Sequence, residues 1–258
     1  MTEHQLFPDG AAMIFGATGG VGKTVAQEFA KAGTDIALMW RSKKEEVEKL
    51  ANEIAASGQK VSMHQCDVTN LPQLQNAISQ ATAAHTRIHS MVWGAGPLAD
   101  QVLISESTSE QWRQAINVEV HGFFEATRTL IPHMKEQGGG SFVHLGSAGD
   151  LKFPERDMLS VSPKAANESL VRGIAREEGR HNIRANSVLL GVIEAGMFLD
   201  LTKQGVFDDH WVEEVHKGLA IKRWGQPEEV AHAAIFLASN KAAYVTGQQI
   251  AVAGGYGL

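Results

Sequence analysis

The chain has 258 residues, 43% of them hydrophobic and 20% charged, an ordinary globular balance that supplies a sizeable core and excludes disorder and collagen-like repeats. Its net charge of −6 offers no overall positive field, so neither nucleic acid nor an anionic membrane surface is expected as a partner. No apolar run approaches the roughly 18 residues of a membrane span, and Met1-Thr2-Glu3-His4 lacks a basic and then apolar leader, so a cytoplasmic location is expected. Cys66, the single cysteine, has no disulfide partner and no metal-ligand spacing around it; it reads as a packed residue, and no metal is expected.

In chain order, Ala11 to Phe15 reads as a strand feeding a glycine cluster, followed by a helix to about Ala32 that Gly33 ends. The unit then recurs. Asp35 to Trp40 is a strand and Lys43 to Ser57 an amphipathic helix stopped by Gly58; Val61 to Gln65 is a strand and Leu71 to His85 a helix. His89 to Trp93 is a fourth strand, and Pro97 forces a turn after it. A long helical region, Ser109 to Gln137, closes on Gly138-Gly139-Gly140. Then come a strand at Ser141 to Leu145, a helix at Ala165 to Gly179, a strand at Ile183 to Leu190, a helix-rich stretch from Asp200 to Ser239, and a last strand at Gln249 to Ala253. Strict alternation with no linker predicts one domain over residues 1–258: an α/β doubly wound parallel sheet with helices on both faces.

Gly16-Ala17-Thr18-Gly19-Gly20-Val21-Gly22 lies between the first strand and its helix, where such a sheet places a dinucleotide pyrophosphate. Glycines let the backbone turn and approach the phosphates, while free N–H groups and the positive helix end attract the anion. At the end of the second strand an acid would bind the 2′-hydroxyl of NAD, whereas an arginine accommodates the 2′-phosphate of NADP. Here Arg41-Ser42-Lys43 stands with no acid before Glu45, which points to NADP(H) rather than NAD(H).

The glycine spacing Gly16-x-x-x-Gly20-x-Gly22 resembles the short-chain dehydrogenase/reductase family, and further landmarks match it along essentially the whole chain. The resemblance implies a single-domain Rossmann-like fold. Asp67 and Val68 look like the adenine-contacting segment, Gly94-Ala95-Gly96 like the turn after strand four, and Asn117 like the mid-helix asparagine. Ser147 resembles the catalytic serine and Lys164 the catalytic lysine, which also binds the nicotinamide ribose. Gly191 and Ile193 follow strand six as in the family, and residues 196–218 look like its substrate lid. Gly225-Gln226-Pro227-Glu228-Glu229-Val230 and Gly254-Gly255-Tyr256 resemble its C-terminal landmarks. A homotetramer or dimer built on the helices of 109–137 and 165–179 is also implied.

One element of the pattern is missing. The family's usual proton donor is a tyrosine four residues before the lysine, and that position is Ser160; the interval of thirteen from Ser147 fixes the register. The remaining tyrosines, Tyr244 and Tyr256, lie far downstream. An aliphatic hydroxyl is a poor general acid, so proton delivery through Ser147, Ser160 and a water beside Lys164 is the expected substitute. The Ser-x-x-x-Lys arrangement is also similar to that of 2,4-dienoyl-CoA reductases, which leaves a ketone and a conjugated alkene both open as acceptors; the separate site tyrosine of those enzymes would fall near Gly149. Phe15, Gly94, Leu190 and Ala195 are further departures from the family pattern. Asp150, Arg156 and Asp157 read as loop surface charges, and His121 and His144 as structural histidines. The expected activity is hydride transfer between NADP(H) and a small, apolar substrate; the alternative is a cofactor-binding protein without redox turnover.

Overall fold

A computed structural model describes residues 5–258. Seven strands form one parallel sheet in the order β3-β2-β1-β4-β5-β6-β7, where β1 is Ala11–Phe15, β2 Asp35–Trp40, β3 Val61–Gln65, β4 Ile88–Trp93, β5 Gly140–Ser147, β6 Ile183–Leu190 and β7 Gln249–Val252. The chain winds outward from β1 to β3, then crosses back to place β4 on the other side of β1. That reversal opens a crevice at the carboxyl ends of β1 and β4.

Because successive strand residues face opposite sides, each central strand feeds two cores. Ala12, Ile14, Ile36, Leu38, Val92 and Val143 pack against α1 (Gly20–Lys31), α2 (Lys44–Ala56) and α9 (Pro227–Ala238). Met13, Phe15, Ala37, Met39, Met91 and Trp93 pack against α3 (Leu71–His85), α5 (Gly122–Glu136) and α6 (Met158–Glu178). Cys66 is buried in this second core; burial, then the charge of Asp67, pushes its thiol up to about 11, so it packs as expected and is no nucleophile at neutral pH.

Three boundaries differ from the sequence expectation, each near the crevice. The long region after β4 is α4 (Ser109–Ile116), a π turn at Asn117–His121, and α5. The helix expected from Ala165 begins at Met158, because Pro163 sits within its second turn and forgoes a single hydrogen bond without breaking it. The lid stretch contains α7 (Met197–Lys203) and α8 (Asp209–Gly218), held together by stacking of Phe198, Phe207 and Trp211, with Phe207 and Trp211 ring centroids 4.0 Å apart. Among the described residues, no helix is long and apolar enough to cross a membrane.

Candidate active site

At the mouth of the crevice the β1 and β4 turns touch. Gly94 N–H donates to the Phe15 carbonyl at 3.2 Å, and Gly16 adopts φ +75, where any Cβ would strike the Gly94 carbonyl. Gly19 N–H closes the turn on the Gly16 carbonyl at 2.9 Å, and Gly22 presses against that same oxygen. Gly19 is the N-cap of α1, yet no side chain caps this helix end and no acid occupies its first turn. The result is an end with unsatisfied N–H groups and uncompensated positive dipole, flanked by the accessible Thr18, Gly19, Gly20 and Val21. Gly20 itself packs on the backbone of Gly196, where the lid begins.

Further out, Arg41, Gln65, Asp67, Gln73 and Asn76 line a cavity of about 440 Å³. Arg41 and Ser42 follow β2 and are exposed; Arg41 makes no ion pair among the described residues, while its carbonyl accepts from Gln65 Nε2 at 2.8 Å. The Thr69 hydroxyl and N–H both donate to Asp67 Oδ1, at 2.7 and 2.9 Å, and hold its carboxyl below the ordinary value. Val68 turns inward and, with Trp93, closes over Gly122. An uncapped helix end, a glycine approach and a guanidinium without an ion pair among the described residues are donors suited to the phosphates of a nicotinamide dinucleotide. Gly191 backs onto Ala253, and Ile193 bridges to Gly225, which fixes the far wall.

The other end of the crevice is built by β5 and α6. Ser147 ends β5, its hydroxyl accepting from Gly149 N–H at 3.1 Å; Gly149 has no room for a Cβ between that hydroxyl and the Val161 side chain of α6. Ser160 and Lys164 lie one turn apart on the partly buried face of α6. The residue facing Lys164 is not the one the sequence named. Asn117 is exposed at the start of the π turn, whereas Glu119 is 2% exposed and accepts from Lys164 Nζ at 2.5 Å. The π turn rotates Glu119 inward beside Gly96, whose missing Cβ leaves room for the carboxylate. Asn167 Nδ2, three residues beyond Lys164, donates to the Glu119 carbonyl at 3.0 Å and so ties the π turn to α6.

Behind this pair lies a second buried network. His144 Nδ1 is 2.8 Å from Glu168 Oε1, and Gln249 Nε2 donates to Glu168 Oε2 at 2.9 Å. Burial alone would raise the Glu168 carboxyl, but the hydrogen bond and charge of His144 bring it below the ordinary value. His144 is thus a satisfied structural group, as the sequence suggested, and His121 is exposed. Two further side chains were not legible as site residues. Asp157 occupies the N-cap position of α6 without a side-chain cap hydrogen bond, lies within reach of Lys164's charge and is partly buried, unlike the exposed Asp150 and Arg156. Tyr256, remote in sequence, returns to the same region, since Asp157's charge adds to burial in raising its phenol.

Residues 16–257 match the family model described as enoyl-(acyl carrier protein) reductase. A 3-oxoacyl-(acyl-carrier-protein) reductase of Thermotoga maritima is 30% identical over 243 residues, 94% of this chain and 96% of that one. A solved 7α-hydroxysteroid dehydrogenase complexed with NADH and 7-oxo glycochenodeoxycholic acid is 27% identical, with TM-score 0.89 over 99% of this chain and 97% of the other. L-sorbose reductase from Gluconobacter frateurii, complexed with NADPH and L-sorbose, is 25% identical, with TM-score 0.90 over 98% of each chain.

Proposed function

The chain belongs to the short-chain dehydrogenase/reductase family, and from that premise we propose that it is an NADP(H)-dependent reductase of a small, apolar carbonyl or conjugated-alkene substrate. The observation that supports the cofactor choice is Arg41: a guanidinium directly after β2, over a polar cavity, that makes no ion pair among the described residues, with no acid between it and Glu45 to receive a 2′-hydroxyl. The fold leaves this choice open, since its relatives include an NADH and an NADPH complex.

When bound, NADPH supplies the hydride. The chain's own residues do the rest. Gly16, Thr18, Gly19, Gly20, Val21 and Gly22 receive the pyrophosphate at the α1 end, Arg41 and Ser42 the 2′-phosphate, and Asp67 and Val68 the adenine. Gly94, Ala95, Gly96, Gly191 and Ile193 form the walls of the nicotinamide end, and Lys164 holds the ribose. Ser147 and Ser160 orient the acceptor, whose apolar body meets Ala99, Leu159 and Met158 beside Met197 of the lid. Asn117 opens the π turn and is exposed, and Glu119, two residues on, is the side chain that meets Lys164. Self-association through α4, α5 and α6 is supported by the exposed Trp112 and Phe124.

The test is a panel of 3-oxoacyl and 2-enoyl thioesters and simple ketones, with NADPH oxidation as the readout. The second reading, cofactor binding without turnover, is favoured by one observation: Glu119 already engages the Lys164 ammonium. It is the correct one if NADPH binds and no acceptor is reduced.

A further inference from the structure

Behind Lys164 the chain buries four polar side chains where apolar packing would serve the core. His144, Asn167 and Glu168 are as fully buried as the hydrophobic residues around them, and Glu119 nearly so; they join β5, α6 and the π turn. Buried polar groups persist where their hydrogen bonds are made, so the partners of each atom decide what the group does.

Asn167 is the hub. Its Nδ2 lies 3.0 Å from the Glu119 carbonyl and 3.3 Å from His144 Nε2, one amide hydrogen for each. The reverse orientation would set Oδ1 against the carbonyl oxygen, so the neighbours determine the direction of the amide. Because Nδ2 donates, His144 Nε2 accepts, and the ring proton sits on Nδ1, where it donates to Glu168 Oε1 at 2.8 Å. Gln249 Nε2 takes Glu168 Oε2 at 2.9 Å, and Gly146, whose Cβ would collide with Glu168 Oε1, leaves room for the carboxylate. Asn167 is thus fixed from behind by β5 and, through Glu168, by β7, and it reaches forward to the Glu119 carbonyl. Its Oδ1 has no hydrogen-bond partner among the described residues, so it acts here as a donor alone.

Such a chain carries no proton: an amide that donates in both directions and accepts in neither is no relay between His144 and Glu119. It carries position. Gly122 N–H bonds to the Asn117 carbonyl, five residues back, where a regular helix bonds four back. Successive α-helical residues are about 100° apart, so relaxing this turn by one residue would swing Glu119 by that angle away from Lys164. The bond from Asn167 to the middle residue of the turn opposes that relaxation, and Lys164 stands three residues before Asn167 on the same helix.

We propose that Asn167 is a positioning residue of this site: by pinning the π turn it sets the Glu119 carboxylate on Lys164 and so governs how freely that ammonium meets the cofactor. The cofactor clause rests on the reading of Lys164 as the residue that holds the nicotinamide ribose.

The test reads Lys164 directly. Reductive methylation of the cofactor-free protein, followed by peptide mass spectrometry, should find Lys164 protected relative to the exposed Lys44 and Lys203. Asn167→Leu should raise its labelling rate about tenfold, the effect of losing one hydrogen bond to a charged group, while Lys44 and Lys203 stay within about twofold. Glu119→Gln should raise it likewise, and the double variant no further, since both substitutions remove the same interaction. NADPH affinity, read by nicotinamide fluorescence, should move in the same direction in Asn167→Leu as in Glu119→Gln. If Asn167→Leu does not fold, Asn167→Ser, whose hydroxyl is too short to span both partners, carries the same comparison. An unprotected Lys164 in the wild type, unchanged labelling of Lys164 in a folded Asn167 variant, a uniform rise at all lysines, or effects of Asn167→Leu and Glu119→Gln that add in the double variant would each overturn the proposal. Failure of every variant and the wild type to bind NADPH would overturn the cofactor reading, while the labelling result still decides whether Asn167 places Glu119 on Lys164.

Discussion

Removing the Glu119 charge should move stability and cofactor affinity in opposite directions. The pair is 2.5 Å long, with side chains 3% and 16% exposed, so neither charge is well solvated if the other is lost. Breaking a buried pair by deleting one partner costs about 3–5 kcal/mol, and the partial exposure of Lys164 places Glu119→Gln near the lower end. For a chain of this size, about 3 kcal/mol corresponds to a fall in Tm of about 6–12 °C. The ammonium so released becomes available to the nicotinamide ribose, and one charge-assisted hydrogen bond of about 1.5 kcal/mol would tighten NADPH binding about tenfold. Thermal unfolding and fluorescence titration of Glu119→Gln, Lys164→Met and the double variant measure both effects. A coupling energy under about 0.5 kcal/mol in the stability cycle, or weaker NADPH binding by Glu119→Gln, would refute the claim that this carboxylate restrains the lysine.

Arg41→Ala should weaken NADPH about tenfold or more and NADH hardly at all, as measured by parallel titration; equal losses for both would assign Arg41 a merely structural role. Ser160→Tyr should raise ketone reduction, and more so combined with Glu119→Asn, which frees Lys164 to act on the new phenol; steady-state rates of the two variants decide this. Acid should destabilise the fold through His89, which burial, then the charge of Arg87, holds down to about 3, with Thr34 Oγ1 2.7 Å from its Nε2. The unfolded chain takes that proton near 6.5 and the folded one only near 3, so the unfolded state binds more protons and stability falls as pH drops through this window. His64 and His85, also buried and lowered, add to the same slope. Urea midpoints between pH 7 and pH 4 should decline in the wild type and decline less steeply in His89→Gln.

The sheet and its cofactor edge were legible because their signals are local: apolar strands at regular intervals and glycines where the backbone must turn against another turn. Gly16 shows how far this goes, since its positive φ and its contact with Gly94 answer to its place directly after β1. The reacting end was less legible, for reasons of packing. Pro163 reads as a helix breaker, yet α6 runs through it, following Asp157 at its N-cap position and carrying Ser160 and Lys164 on its first two turns. Glu119 could have been found without a structure, because Ala115, Val118, Glu119, Gly122 and Phe123 fall on one buried stripe, and an acid on such a stripe needs a partner. Asp157 looked like a loop charge because its burial comes from Gln101 and the apolar cluster below the lid, and Tyr256 looked remote because only the fold returns the C-terminal segment to Asp157.

The most direct test of the account is the titration of the purified protein with NADPH and NADH, followed by nicotinamide fluorescence. Tight NADPH binding with a preference of tenfold or more over NADH is the predicted result. Failure to bind either nucleotide would contradict the assignment of the crevice and of every residue placed around it.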